Sequence, residues 1–223
     1  MTNPKRLAII GGLAIGGLAV ARGLQAFPRS ADWRDDPSQG AHAGAGDIWS
    51  TGSVRDRGIA CLHCHVDDAR QQGMIAVEIS YDPPLSAGNY APGTAYTVTV
   101  ALLGEHLGLS DQASDTNGFA ATYEDVNGNE LGALQADLSD GCPAETPVHG
   151  DAFAPGTTYT YGDCHAIASL GKPGLTSWTY RWTAPAAGSG TVYAYHGVVD
   201  GDADRRSLGD DVKMDRAELA EGP

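Results

Sequence analysis

The sequence predicts an all-β protein built as an antiparallel β-sandwich, and three observations lead to that fold class. Between residues 74 and 212, six to eight short segments are rich in β-branched and aromatic residues. Several of these segments alternate apolar and polar positions, as strands with one buried face do. Turns rich in glycine, proline and asparagine separate them at the spacing that is typical of sandwiches.

The first 26 residues predict a signal peptide or an N-terminal membrane anchor helix. Lys5 and Arg6 precede an uncharged, mostly apolar run from Leu7 to Ala21. The run ends in Ala-Val-Ala, the small-x-small form that a signal peptidase prefers. It is about 15 residues long, against about 20 for a bilayer span, which favours a cleaved signal. We therefore expect an exported protein, periplasmic or at the cell surface, with an uncleaved anchor as the alternative.

The remaining chain divides by composition into four parts. Residues 27–55 are rich in Gly, Ala, Asp and Ser and predict an extended linker. Residues 56–73 hold a cysteine–histidine motif, residues 74–212 hold the strands, and residues 213–223 predict a polar tail in a stretch with a helical pattern. The predicted strand segments are Met74–Tyr81, Tyr90–Gly104, Gly118–Leu138, Ala154–Gly162 and Thr176–Val199.

Two loops carry local signals. Asn127-Gly128 predicts a hairpin with a type I′ turn, in which both central residues need a positive φ. The acid-rich segment Asp200–Asp211 predicts a solvated loop, with calcium binding as the alternative interpretation.

The formal charge of the chain is −14, and it becomes −16 if Lys5 and Arg6 leave with a signal peptide. Such a chain is not expected to bind nucleic acid or anionic lipid through its surface. A basic protein partner would associate faster with it by electrostatic steering.

The motif Cys61-Leu62-His63-Cys64-His65 predicts a covalent haem c. Two cysteines at this spacing can form thioethers with both vinyl groups of one porphyrin edge, and the following histidine can bind the iron. A random C-x-x-C-H is expected only about 0.002 times in a chain of this composition. Three other interpretations stay open: a zinc site, a redox dithiol and a local disulfide.

Four blocks of the sequence resemble, in the same order, the bacterial choice-of-anchor V or reeler-like surface domains. They are STGSVRDRGIACLHCH, YAPGTAYTVTVAL, GFAATYEDVNGNELG and TSWTYRWTAPAAGSGTVYAYHGVVDGDADRRSLGDDV, and they extend over about Ser50 to Val212. The resemblance implies an Ig-like or reeler-like sandwich, an exported or cell-surface location, and a single haem c at C-x-x-C-H. This chain departs from the family pattern in an extra cysteine pair and in His196, where the pattern has a small residue.

For the sixth iron ligand we expect histidine, because few methionines remain after the leader. His165 is the first choice, since the family pattern also has a histidine ahead of the tryptophan block. Met74 and Met214 are expected to be packing or tail residues. An iron without a sixth protein ligand, open to small molecules, is a further alternative. The other histidines considered are His42, His106, His149 and His196.

Cys142 and Cys164 predict a disulfide, because an exported chain would oxidise them. A bridge across 22 residues is worth about 3 kcal/mol in the chain-entropy model. It would also hold His165, the residue after Cys164, in place.

These observations predict an exported mono-haem c-type cytochrome that exchanges electrons with a redox partner protein and does not act as an enzyme. Cys61 and Cys64 attach the haem, His65 is the proximal ligand and His165 the candidate distal one. Three alternatives are a surface adhesion or interaction module with a structural C-x-x-C-H, a haem that reacts with peroxide or small ligands, and a subunit of a membrane-bound electron-transfer complex.

Overall fold

The computed structural model describes residues 49–63, 65, 75–104, 116–136, 142, 158–161, 164–201 and 209–223. In these ranges the chain forms two β-sheets packed face to face, which confirms the predicted β-sandwich. All strand pairs are antiparallel except β2 with β10. The elements are a 3₁₀ turn at Cys61–His63 and the strands β1 Ala76–Asp82, β2 Asn89–Tyr90, β3 Ala95–Leu103, β4 Thr116–Glu124, β5 Ala133–Gln135, β6 Thr158–Tyr161, β7 Ala166–Pro173, β8 Ser177–Thr183, β9 Val192–Gly201 and β10 Asp211–Glu221.

The four-stranded sheet has the order β1-β3-β8-β5. Strand β3 buries every second residue, because Val98 and Val100 point into the sandwich while Thr97 and Thr99 point out. Strand β8 does the same with Trp178, Tyr180 and Trp182. The one-sided aromatic pattern of this strand is therefore a core face.

The six-stranded sheet has the order β2-β10-β9-β4-β7-β6. Along β9, Val192, Ala194 and Val198 are fully buried and belong to the main apolar core. The alternating residues of β9 occupy the other face, which we call the outer face. Tyr195 lies there, and the Arg216 guanidinium carbon of β10 lies 5.9 Å from its ring centroid.

The core between the sheets is mainly aromatic. Trp182 is completely buried and stacks on Tyr96 with ring centroids 5.5 Å apart. Tyr123 of the opposite sheet packs against the same indole at 4.7 Å. Large rings fill the space between the sheets with few rotatable bonds. Each pair of packed aromatic rings contributes about 0.5–1.5 kcal/mol to stability beyond the buried area of its rings.

A row of polar groups also crosses this core. The Tyr81 and Tyr180 hydroxyls each lie 3.0 Å from the Tyr123 hydroxyl, and the Tyr180 hydroxyl lies 2.6 Å from Nε2 of His196. Burial raises the pKa of Tyr123 and Tyr180 well above the usual value and lowers the pKa of His196 to about 3. All these groups are therefore neutral near pH 7, and each hydroxyl has a partner.

The C-terminal segment differs from its prediction as a polar tail, because residues 211–221 form strand β10 beside β9. Its inward residues, Ala217 and Leu219, pack on the core, whereas Arg216 and Glu218 form an ion pair on the outer face. The polar outer residues gave this strand the composition of a tail.

The loop after β4 also differs from the predicted type I′ hairpin. Gly128 has a φ of 85°, but Asn127 does not have the positive φ that this turn requires. Instead, the Asp125 carboxylate accepts hydrogen bonds from the backbone N–H groups of Asn127 and Asn129 at 2.7 and 2.9 Å. Only an isolated bridge joins Glu124 to Glu130, and the chain then enters the other sheet as β5.

In the part of the chain that the structure describes, no helix is long and apolar enough to cross a bilayer. The predicted signal or anchor at residues 1–26 lies outside that part.

Candidate functional site

The loop that leads into the C-x-x-C-H motif is organised around the buried carboxylate of Asp56. This carboxylate accepts hydrogen bonds from the backbone N–H groups of Trp49 and Thr51 at 2.8 and 2.6 Å, and from the Thr51 hydroxyl at 2.6 Å. Burial raises the pKa of Asp56, although these hydrogen bonds act to lower it. A bridge between Thr51 and Ala60 closes the loop just before Cys61. The motif therefore starts from a fixed position.

Side chains of β4 hold this loop against the outer face of the six-stranded sheet. The hydroxyls of Thr51 and Thr122 lie 2.9 Å apart, and the Val54 N–H donates to Oε1 of Glu124 at 2.7 Å. The Glu124 residue is buried, and desolvation raises its carboxyl pKa. Residues 49–55, the end of the predicted extended linker, are thus packed on the sandwich.

Cys61 lies over the place where β9 and β10 run side by side. Its Sγ donates to the Ser50 carbonyl at 3.2 Å, and Gly197 of β9 lies beneath it. A Cβ built on Gly197 would be only 2.8 Å from that sulfur, so an alanine there would displace the motif. Gly197 therefore provides a shallow cradle for the Cys61 side chain. Cys64, the second cysteine of the motif, lies outside the described residues.

His65 is held by Asp210, which immediately precedes β10. The Nδ1 atom of His65 lies 2.5 Å from Oδ2 of Asp210, whose side chain is only 4% exposed. When Nδ1–H donates to this carboxylate, Nε2 keeps its lone pair for a ligand. Metal-binding histidines almost always have such a partner on the other ring nitrogen, which sets the tautomer and the ring orientation.

Asp210 is the site residue that the sequence analysis missed, because it lies in the acid-rich segment predicted as a solvated loop. In the described part of that segment, Asp200, Asp210 and Asp211 are all buried. Asp200 lies near the end of β9, Asp210 immediately precedes β10 and Asp211 begins it, and no local pattern in the sequence marks Asp210 as buried.

The described residues of the motif fit a covalently attached haem. Cys61 offers a half-buried thiol over a glycine cradle. His65 offers an oriented imidazole whose second nitrogen is engaged by a buried carboxylate. Haem c attachment at C-x-x-C-H uses two thiols and one imidazole, and the described residues supply one thiol and the imidazole.

His165 lies elsewhere on the sheet. It precedes β7, and its Nδ1 lies 3.4 Å from Oε2 of Glu130, which also pairs with Arg55. By strand register it is two strands and three residues from Gly197, or about 10 Å in each direction. The structure therefore does not bring His165 next to His65, and its role as distal ligand stays a prediction.

The other histidines considered, together with His63 and the two methionines, have different environments. His196 faces the core, on the opposite side of β9 from the motif. Nδ1 of His63 accepts a hydrogen bond from the Ala60 N–H at 3.0 Å. Met214 lies on the outer face of β10, directly opposite Gly197. His42, Met74, His106 and His149 lie outside the described ranges.

The predicted disulfide is confirmed. Cys142 and Cys164 are bonded across a sequence separation of 22, with Cα atoms 4.9 Å apart. Cys164 is fully buried at the turn that precedes β7. A structural disulfide is typical of proteins that fold in an oxidising compartment, in agreement with an exported domain.

Across the residues with described positions, no group of three or more His, Cys, Asp or Glu side chains is placed to hold a metal ion.

No protein-family model matches this chain, and no curated protein matches it. Similar solved structures include the reeler domain of human F-spondin, at 17% sequence identity and a TM-score of 0.42, with 68% of this chain and 91% of that chain covered. A second is the Reelin-N domain of F-spondin, at 18% identity and a TM-score of 0.39, with 66% and 87% covered. These similarities concern the fold alone.

Proposed function

We propose that this chain is an exported c-type cytochrome with one covalent haem, which transfers electrons to or from a redox partner protein. Cys61 and Cys64 attach the haem through thioethers, and His65 binds the iron through Nε2. The haem supplies a one-electron couple between ferric and ferrous iron. The protein supplies the attachment, the orientation of the imidazole and the charge around it.

The observation that carries this proposal is the contact between His65 and Asp210. The buried carboxylate of Asp210, 145 residues further along the chain, engages Nδ1 of His65 and so fixes the orientation of the ring. A histidine that binds a metal does need such a partner, because one ring nitrogen must be fixed for the other to point at the ion. The contact thus supports a ligand role for the last residue of C-x-x-C-H.

The surface around the motif supports electron exchange with another protein. Leu62, inside the motif, is 51% exposed, and Val54 of the preceding loop is 49% exposed. These apolar side chains lie on a chain of formal charge −14. A basic partner would be steered toward such a surface and could make an apolar contact beside the motif.

The cellular setting belongs to the same proposal. The leader at residues 1–26 exports the domain, and the family resemblance to choice-of-anchor V proteins agrees with a periplasmic or cell-surface position. If the leader remains uncleaved, the domain is a subunit tethered beside a membrane electron-transfer complex.

The test is expression with a cytochrome c maturation system, followed by denaturation and a pyridine haemochrome spectrum. We expect one c-type haem per chain that stays with the denatured polypeptide. The double variant Cys61→Ala/Cys64→Ala should lose it. The matched control Cys142→Ala/Cys164→Ala, which also removes two cysteines, should retain it.

A folded wild-type protein that retains no haem would refute the electron-transfer proposal. The chain would then be an adhesion or interaction module with a structural C-x-x-C-H. A thiol count and a zinc assay on that protein would separate a local disulfide from a zinc site, since only the disulfide lacks both free thiols and metal.

A further inference from the structure

We infer that Met214 of β10 is the sixth iron ligand, an inference that rests on the haem attachment proposed above. The sequence alone predicts that Met214 lies in a polar tail and that His165 takes this role. The surroundings of Met214 point to it instead.

Met214 lies on the face of β10 that carries the motif. In the β9–β10 register Met214 faces Gly197, so its side chain is on the same outer face as Cys61. It does not belong to the main apolar core of the described residues. A lone methionine is usually an apolar filler of a core. Met214 is instead half-buried on the outer face, on the same side of β10 as the ion pair of Arg216 and Glu218.

The sulfur atoms of Met214 and Cys61 both lie close to Gly197. A Cβ built on Gly197 would lie 2.8 Å from Cys61 Sγ, 3.1 Å from Met214 Cε and 3.3 Å from Met214 Sδ. Both sulfur atoms thus lie within 3.3 Å of one point over the glycine. The thioether of Met214 and the thiol that forms the haem thioether therefore border the same space over Gly197.

Small residues surround the Met214 side chain. Gly52 lies on the other side of the Met214 methyl group, since a Cβ there would be 3.8 Å from Met214 Cε and 3.4 Å from Cβ of Ala60. Glycine or alanine thus occupies three positions around this side chain, Gly52, Ala60 and Gly197. Small neighbours leave an unbranched side chain free to change rotamer, as a ligand must when a large group is attached beside it.

The Met214 thioether is a suitable donor for haem iron. A thioether is a neutral, soft donor that needs no proton removed, and methionine is one of the common axial ligands of haem c. Strand β10 and the residue before it then serve both sides of the iron. Asp210 holds His65, and Met214, four residues further along, provides the opposite ligand.

The test uses the haem-loaded wild type with Met214→Leu, which keeps the volume but cannot bind iron, and His165→Ala as the matched control. Each protein is measured for the weak near-infrared sulfur-to-iron charge-transfer band of the ferric form and for carbon monoxide binding by the ferrous form. We expect the band in the wild type and in His165→Ala. Met214→Leu should lose the band, become high-spin and bind carbon monoxide stoichiometrically. Met214→His should restore a low-spin iron without the band.

Haem content per chain, measured separately, distinguishes a failure of the proposed haem attachment from a failure of the Met214 assignment. If the wild type contains no haem, the haem attachment itself is refuted. If it contains haem but shows no band, and Met214→Leu leaves its spin state unchanged, the Met214 assignment alone is overturned. Loss of the low-spin state in His165→Ala would then assign that histidine. Stoichiometric carbon monoxide binding by the wild type would indicate an open, ligand-reactive iron.

Discussion

Asp210 and His65 meet through a 2.5 Å contact between a buried carboxylate oxygen and Nδ1, although 145 residues separate them in the sequence. The contact ties the C-x-x-C-H segment to the start of β10. It also puts a carboxylate against the imidazole that is proposed to bind iron. This geometry has a direct electrochemical consequence.

Replacement of Asp210 by Asn should raise the reduction potential of the haem. A carboxylate on Nδ1–H makes the imidazole a stronger donor and stabilises the more highly charged ferric iron. A ten- to a hundredfold change in the preference of the imidazole for ferric over ferrous iron corresponds to roughly 60–120 mV at 59 mV per tenfold. Spectroelectrochemical titration of the haem-loaded protein measures the shift.

The matched control for this experiment is Glu218→Gln on the same segment. Its carboxylate is removed with the same change in net charge, but its side chain is 59% exposed and pairs with Arg216. Solvent screens an exposed charge, so its removal should move the potential far less. Equal shifts in both variants would mean that Asp210 acts only through net charge and not through His65.

The sandwich was predictable from sequence because its signal is local. Alternation along β3 and β8 reports the buried face of each strand without any knowledge of its partner. The same logic failed for β10, whose outer face carries Arg216 and Glu218 and whose inner face buries small residues such as Ala217. A strand that buries small residues and exposes charged ones has the same overall composition as a polar tail.

The candidate site was predictable only where its residues are neighbours in sequence. The C-x-x-C-H motif predicts haem attachment from five consecutive residues. Asp210 and Met214 reach the motif through the β9–β10 pairing, and nothing in their local composition reports that contact. Long-range pairing, rather than residue type, decides which acid of an acid-rich segment becomes buried.

Gly197→Ala should destabilise the protein by disturbing the motif. The new Cβ would lie 2.8 Å from Cys61 Sγ and 3.1 Å from Met214 Cε, so at least one of these side chains must move. Overpacking of this kind costs about 1–3 kcal/mol. Urea unfolding of the haem-loaded protein should show that loss, and the yield of attached haem should fall.

A double-mutant cycle with Met214→Ala tests the steric explanation for Gly197. If the methionine is one of the atoms that must move, its truncation should recover part of the loss, with a coupling of at least about 0.5 kcal/mol. Strictly additive effects would mean that the alanine at position 197 clashes with Cys61 alone.

Removal of the disulfide should lower stability without loss of haem. The bond between Cys142 and Cys164 closes a segment of 22 residues, and the chain-entropy model assigns about 3 kcal/mol to a loop of this size. Chemical denaturation of Cys142→Ala/Cys164→Ala should show that decrease at one haem per chain. Thiol reductant should destabilise the wild type and leave the variant unchanged, because thioether bonds resist reduction. A reductant effect of equal size in both would contradict this explanation.

His196→Gln should make the stability of the protein less sensitive to acid. Burial lowers the pKa of His196 to about 3 in the folded protein, whereas an unfolded histidine titrates near 6.5. Between these values only the unfolded chain binds the proton, so the free energy of unfolding falls as the pH decreases from about 6.5, by up to about 1.4 kcal/mol per pH unit for one proton. Glutamine can still hydrogen-bond to Tyr180 and does not titrate.

The burial-raised pKa values of Asp56 and Glu124 act in the opposite direction, but they are common to both proteins and cancel in the comparison. Urea titrations of both proteins at pH 7 and pH 5 should therefore show a larger loss of stability in the wild type. Parallel pH profiles would mean that His196 takes up a proton in the folded core.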